Sequence, residues 1–209
     1  AVFLKDLNSR ISLIMKKILL TLLLSFTLIS ISSAGKLDTN ILKLRAMNSC
    51  VDCKLNKVDL RGVVLIGANL KGADFSGANL QGSIISRANM SEAILKKANM
   101  SGAILRESVL YLADLSEAEL SQADLRGANL IRVNLSGADL SGTDLSGASF
   151  NISHPNGEIL YGTDFSGAVL YGTDLSGADL RGVSFTLAKL KEADLRGANL
   201  SEADLTGVN

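Results

Sequence analysis

The sequence predicts an all-β coil, built from very short extended segments joined by regular corners. Three observations carry this. From Leu55 to Leu205 every fifth residue is large and apolar except Pro155: of 31 positions, 23 are Leu, four Phe, two Met and one Ile. Two residues before each stands a small residue, Ala at 19 of the 31, otherwise Val, Thr, Ser or Cys53, with Glu158 the exception. Asp or Asn often fills the place between them and Ser-Gly often follows, as in Ala138-Asp139-Leu140-Ser141-Gly142.

A period of five matches neither a helix at 3.6 nor a long strand at 2, so each unit is read locally. Ala-x-Leu in extended conformation sends its two apolar side chains to one side and the middle residue to the other. Ser-Gly supplies the corner, because Gly takes positive φ without steric cost. Corners of one sense wind the chain into a coil, and stacked turns bring equivalent segments to about 4.8 Å. Leu then fills the centre and Ala the crowded places beside it. The expected core includes Leu115, Leu120, Leu125, Leu130, Leu135, Leu140 and Leu145, with Phe75, Phe150, Phe165 and Phe185. Each Leu so buried stabilises the fold by about 1.5–3 kcal/mol.

Composition narrows the chemistry. The 209 residues carry 21 basic and 21 acidic side chains, one His, two Cys and no Trp. Zero net charge argues against a generic nucleic-acid binder. One His and two Cys leave no zinc set and no His-based triad.

In chain order, residues 1–14 precede Met15 and read as an upstream extension. Residues 15–34 read as a signal peptide: Met15-Lys16-Lys17, an apolar run from Ile18 to Ile31, then Ser32-Ser33-Ala34 with small residues at −3 and −1. The run is shorter than the roughly 20 residues a membrane-spanning helix needs. The alternative is a hydrophobic N-terminus that stays attached. Residues 35–52 form the cap segment, where Leu37, Ile41, Leu42 and Leu44 suggest a short helix closing the first turn. Residues 53–209 are the repeat. Within it 151–157 break the pattern, either as a loop leaving one corner or as two degenerate units, since the five-residue phase survives.

The run of A(D/N)LSG units over 53–209 resembles the pentapeptide-repeat family. That resemblance implies a right-handed quadrilateral parallel β-helix with four units per turn, hence nearly eight turns. It also offers one alternative function, duplex mimicry by an acidic rod that binds DNA gyrase, as in quinolone resistance, whereas the lack of a catalytic constellation in the sequence points to a non-catalytic role. The acidic stretch from Asp114 to Asp204 is compatible with mimicry; export and a basic first half oppose it. Residues 35–111 hold 11 basic and 6 acidic side chains, and 112–209 hold 6 and 14, giving +5 and −8.

With four units per turn, residues 20 apart stack. One face then presents Val109, Tyr111, Leu112, Ile131, Ile152, Val169 and Tyr171, and the adjacent one Val64, Ile66, Ile84 and Ile104. A contiguous apolar stripe on a polar exterior is a candidate protein-binding surface. Cys50-Val51-Asp52-Cys53 reads first as a local disulfide at the first corner, next as free thiols, and last as a redox pair. His154 has no nucleophile or carboxylate grouped with it in sequence. No catalytic residue, cofactor or metal is expected, and no nucleic-acid partner or stable membrane insertion after signal removal. The expected function is an exported, periplasmic or secreted, binding or scaffold protein. Its expected partner is another protein, with a homodimer through the last turn as one form.

Overall fold

The computed structural model groups residues 38–209 into one compact unit and describes residues 39–153 and 159–209. The signal-peptide reading at 15–34 and the extension at 1–14 lie outside the described residues, as do His154, Pro155 and Glu158.

Parallel bridges link residues 20 apart without a break from Ser49 to Ser149, for example Lys54 to Asp74 to Ile94 to Asp114 to Asn134. Four five-residue units therefore close each turn, and the coil has four faces. We number them by their central residues: the first face carries Leu55, Phe75 and Leu95, the second Leu60 and Leu80, the third Leu65 and Ile85, the fourth Leu70 and Met90. Between turns, each central residue donates to a carbonyl nineteen positions on, as in Leu55 N–H to Asp74 O at 2.7 Å. Asp74 N–H donates back to Cys53 O at 2.8 Å. The eleven core residues from Phe75 to Phe185 named above are at most 1% exposed. Phe165 and Phe185 stack with centroids 5.1 Å apart.

The corners explain the polar half of the repeat. Asp74 Oδ1 accepts from Ser76 N–H at 3.0 Å and from Ser76 Oγ at 2.6 Å, and Asn134 and Asp139 treat Ser136 and Ser141 alike. The Asp/Asn position thus closes the turn locally, competing successfully with any longer segment of strand. The second residue after the central one sits at positive φ, at Gly in most units and otherwise at charged or polar residues such as Asp52, Arg87, Glu107 and Gln122, and at Leu112 (φ 60°) and Leu187 (φ 57°).

The interruption is a short hairpin. Bridge spacing rises from 20 at Asn129–Ser149 to 30 at Asn134–Asp164, Asp139–Val169 and Asp144–Asp174, then returns to 20 at Asp164–Ser184. The added residues include β1 (Ile152–Ser153) and β2 (Ile159–Tyr161), which pair antiparallel with each other. Ten residues equal two units, so the phase survives although they add nothing to the ladder. The chain rejoins at Thr163, whose hydroxyl donates to Leu130 O (2.7 Å) and Phe150 O (2.8 Å). The repeat from Cys50, less these ten residues, makes about seven and a half turns, or roughly 36 Å at the usual spacing between strands, rather than nearly eight.

At the N-terminal side, α1 (Thr39–Met47) buries Leu44 and packs Ile41 against the core. Nine residues are too few to hold a helix alone, so this packing sustains it. It ends where Asn48 turns to φ 48°, a conformation Asn tolerates. In the last turn, Leu190, Leu195 and Leu200 are only partly buried.

Candidate protein-binding surface

The stripe expected from 20-residue stacking does not assemble as one face. Val109 lies on the fourth face and bridges Asn129; Tyr111 and Leu112 form the corner that follows, and Leu112 N–H donates to Ile131 O at 3.2 Å. These four are therefore neighbours along the ladder, with Leu112 exposed and Val109, Tyr111 and Ile131 half-buried. Ile152 is not in the stack: its backbone pairs with Tyr161 in the hairpin. Val169 bridges Asp139, and Gly142 N–H donates to Tyr171 O at 2.7 Å, which puts both on the second face, opposite the patch. The cause is the hairpin: its ten residues advance the numbering by half a turn while the coil does not turn. The third-face row behaves differently. Val64, Ile84 and Ile104 bridge in succession, with Val64 and Ile66 exposed at 61% and 52%.

Leu112 is 37% exposed and holds the left-handed corner conformation that Arg87, Glu107, Gln122 and others also take where Gly is absent; what sets it apart from those is its apolar side chain. Leu187, also exposed, repeats the combination on another corner. Sequence reasoning missed Leu187, and missed Ile94, which is exposed on the first face one turn before Asp114. The signal was present: Leu187 stands where Gly usually does.

The acidic half is less bare than its net charge implies. Asp124, Asp144, Asp174 and Asp194 stack in one row on the third face, continuing from Ile104. Arg126 pairs with Asp124 at 2.9 Å and with Asp144 at 3.3 Å, Arg106 also reaches Asp124, and Arg196 holds Asp194. The Arg126 guanidinium holds the Asp124 carboxyl down at about 2, and Arg196 does the same for Asp194. The spacing is one the sequence shows plainly: Asp-Leu-Arg in a unit places both charged groups outward on the same side, as Asp59–Arg61 and Asp179–Arg181 also do. Between turns, Lys71–Glu92, Arg87–Glu107 and Lys97–Glu117 pair across corners.

Cys50 and Cys53 are joined in a disulfide with Cα atoms 5.3 Å apart. Both are buried in the core, not presented at a surface. Among the described residues no group of His, Cys, Asp and Glu has the arrangement of a metal site, and no helix is long and apolar enough to cross a membrane.

Comparison with known proteins agrees with the turn-by-turn reading. The family model for pentapeptide repeats matches in eight copies at residues 50–82, 73–111, 113–151, 159–186 and 184–209. Its matches stop at 151 and resume at 159, inside the hairpin. No curated protein matches the sequence. Similar solved structures include a pentapeptide repeat protein of the Arabidopsis thaliana thylakoid lumen, with 33% identity over 54% of this chain and 71% of that one and a TM-score of 0.48. HetL, a pentapeptide repeat protein involved in heterocyst differentiation regulation in the cyanobacterium Nostoc, is 27% identical over 77% and 84%, with a TM-score of 0.28. Full-length QnrB1, a plasmid-mediated fluoroquinolone resistance protein, is 18% identical over 77% and 90%, with a TM-score of 0.42. Four repeat units to the turn, an aliphatic axis and eight matched copies have one explanation: the chain belongs to the pentapeptide repeat family, whose fold is a right-handed β-helix solenoid.

Proposed function

We propose that this chain is a non-catalytic binding or scaffold protein that works through its exterior, with Val109, Tyr111, Leu112 and Ile131 as the contact patch for another protein. Among the described residues the axis is filled by buried side chains, which supports a role for the exterior. The observation that carries it is Leu112. At this corner place the other non-Gly residues apart from Leu187 are charged or polar, so Leu112 leaves apolar surface in water that a partner would cover. Tyr111 beside it offers a large, rigid contact area of the kind that dominates binding energy. The Arg partners along the third face support protein binding over duplex mimicry, since they interrupt the row of negative charge that a mimic presents. Export through residues 15–34 completes the proposal and sets its compartment as periplasmic or extracellular. α1 serves in it as the lid of the first turn.

The test is a cross-linking pull-down from the cell envelope with the double variant Tyr111→Glu, Ile131→Glu. We expect loss of the proteins captured by the wild type, with the circular dichroism spectrum unchanged. An identical capture profile rejects the patch, and a chain found only in the cytoplasmic fraction rejects the compartment.

A further inference from the structure

We infer that α1 and the Cys50–Cys53 bond form a reductant-sensitive cap, in which opening the bond releases α1 from the first turn. This rests on the reading of α1 as a lid, and it begins with hydrogen bonding. Within the coil, carbonyls are satisfied by N–H groups nineteen residues earlier, as Leu55 N–H serves Asp74 O and Lys57 N–H serves Ser76 O. By that rule Lys54 O and Ile66 O in the first turn call for donors at residues 35 and 47. They are met instead by side chains: Asn40 Nδ2 donates to Lys54 O at 3.0 Å and Asn48 Nδ2 to Ile66 O at 2.9 Å. The two amides stand at opposite ends of α1, so the helix closes part of an edge that backbone groups would otherwise leave open.

The cystine lies directly beneath. Cys50 stands five residues before Leu55 and Cys53 two before it, so the pair takes the inward places that Leu and Ala hold in other units. They are 0% and 5% exposed. Cys50 Sγ lies 3.4 Å from Asn40 O, so the sulfur touches the residue that closes Lys54 O. The corner they span is tied to the next turn by Cys50 N–H to Asn69 O (2.8 Å) and Asp52 N–H to Lys71 O (2.9 Å), but on the side of α1 only the cystine and a long turn bond, Cys53 N–H to Cys50 O at 3.4 Å, fix the two inward places. Two thiols need van der Waals separation where the cystine has a bond, and a close-packed site beneath a helix yields by shifting what lies above it.

The reductant is a dithiol. Its thiolate attacks Cys53 Sγ, the less covered sulfur; the S–S bond breaks and Cys50 leaves as a thiolate that takes a proton. The second thiol of the reductant then attacks the mixed disulfide. Cys53 leaves and is protonated, and the reductant departs as its own disulfide, with two electrons and two protons passed to the protein. With both sulfurs covered, attack waits on partial lifting of α1, so access and release are coupled.

Hydrogen exchange on the full chain, oxidised and after native treatment with dithiothreitol, tests this. We expect amides of 40–48 to exchange about tenfold faster after reduction, with amides of 100–140 unchanged, and oxidation to reverse the effect. In the oxidised chain, Leu44→Ala is expected to raise the rate of reduction by about tenfold, because it loosens the helix without touching the sulfurs. Equal exchange over 40–48 in both redox states overturns the proposal, and so does an increase spread through the whole coil. A reduction rate unaffected by Leu44→Ala removes the gating. None of these results depends on the Tyr111 patch, so either reading can fail alone.

Discussion

Each repeat position answers a separate physical demand. The central Leu supplies buried area, the small residue lets neighbouring turns approach, and the Asp or Asn closes the corner through its Oδ1. Where polar residues replace Ala, the outcome depends on a partner. Thr143, Thr163 and Thr173 are buried and donate to Leu120 O, Leu130 O and Leu140 O. Ser83 and Ser108 are buried too, and their hydroxyls have no hydrogen-bond partner among the described residues. We expect Ser83→Ala to stabilise the protein by about 1 kcal/mol, read as a higher urea midpoint, because it removes a desolvated group that gains nothing in return. Ala128→Leu is expected to cost about 1–3 kcal/mol by overpacking at a fully covered site. Asp124 gives a pH-dependent test. Its folded pKa, held at about 2 by Arg126, lies below the ordinary 3.8. Its contribution is therefore present above pH 3.8 and is lost as pH falls towards 2. Asp124→Asn should flatten the loss of stability between pH 4 and 2 in acid titrations of the urea midpoint.

At the scale of the element, the hairpin divides a repeat unit. Asn151 occupies the place after the central Phe150, and Gly162 is the natural next residue of the same unit before Thr163, Asp164 and Phe165. Deleting 152–161 rejoins Phe150-Asn151-Gly162-Thr163-Asp164-Phe165, which has the repeat pattern. We expect that variant to fold with its thermal midpoint kept or raised; aggregation on expression would show that the hairpin helps form the coil. Gly162 itself tolerates no side chain. A Cβ there would meet Gly182 O and stand 2.9 Å from Gly182 C, backbone atoms that cannot step aside. Gly162→Ala is expected to cost about 1–3 kcal/mol in chemical denaturation. The hairpin also marks where the sequence stopped being legible. Inward positions follow from counting fives, and ten inserted residues do not disturb that count. Face assignment needs counting by twenties, and the same ten residues spoil it, which is why Val169 and Tyr171 were expected beside Tyr111 and lie opposite. Periodicity alone cannot distinguish residues that wind from residues that loop out. The corner role of Asp and Asn was hidden for another reason: an outward polar residue looks the same whether it caps a turn or faces water.

Across the coil as a whole, each turn rests only on its neighbours, so stability is close to a sum of turns and their interfaces. The net charge of +5 over residues 35–111 and −8 over 112–209 sets up an axial field. Exposed pairs such as Arg87–Glu107 temper that field locally and, being screened by solvent, contribute little to stability. A charge on the axis is different. Leu125→Lys places an ammonium at a fully buried position among core side chains that offer it no counter-charge, and should cost about 3–5 kcal/mol, read as a lowered urea midpoint. The one-dimensional order also predicts that its unfolding loses the single sharp transition of the wild type, as the turns on either side cease to support each other.

The re-entry at Asn151 and Gly162 has a practical consequence. Because the coil closes on itself at that corner, its winding is indifferent to how much chain departs there. We expect a foreign peptide substituted for 152–161, whether or not its length is divisible by five, to leave the downstream faces in place. The corner is thus a ready graft site for an epitope or affinity tag.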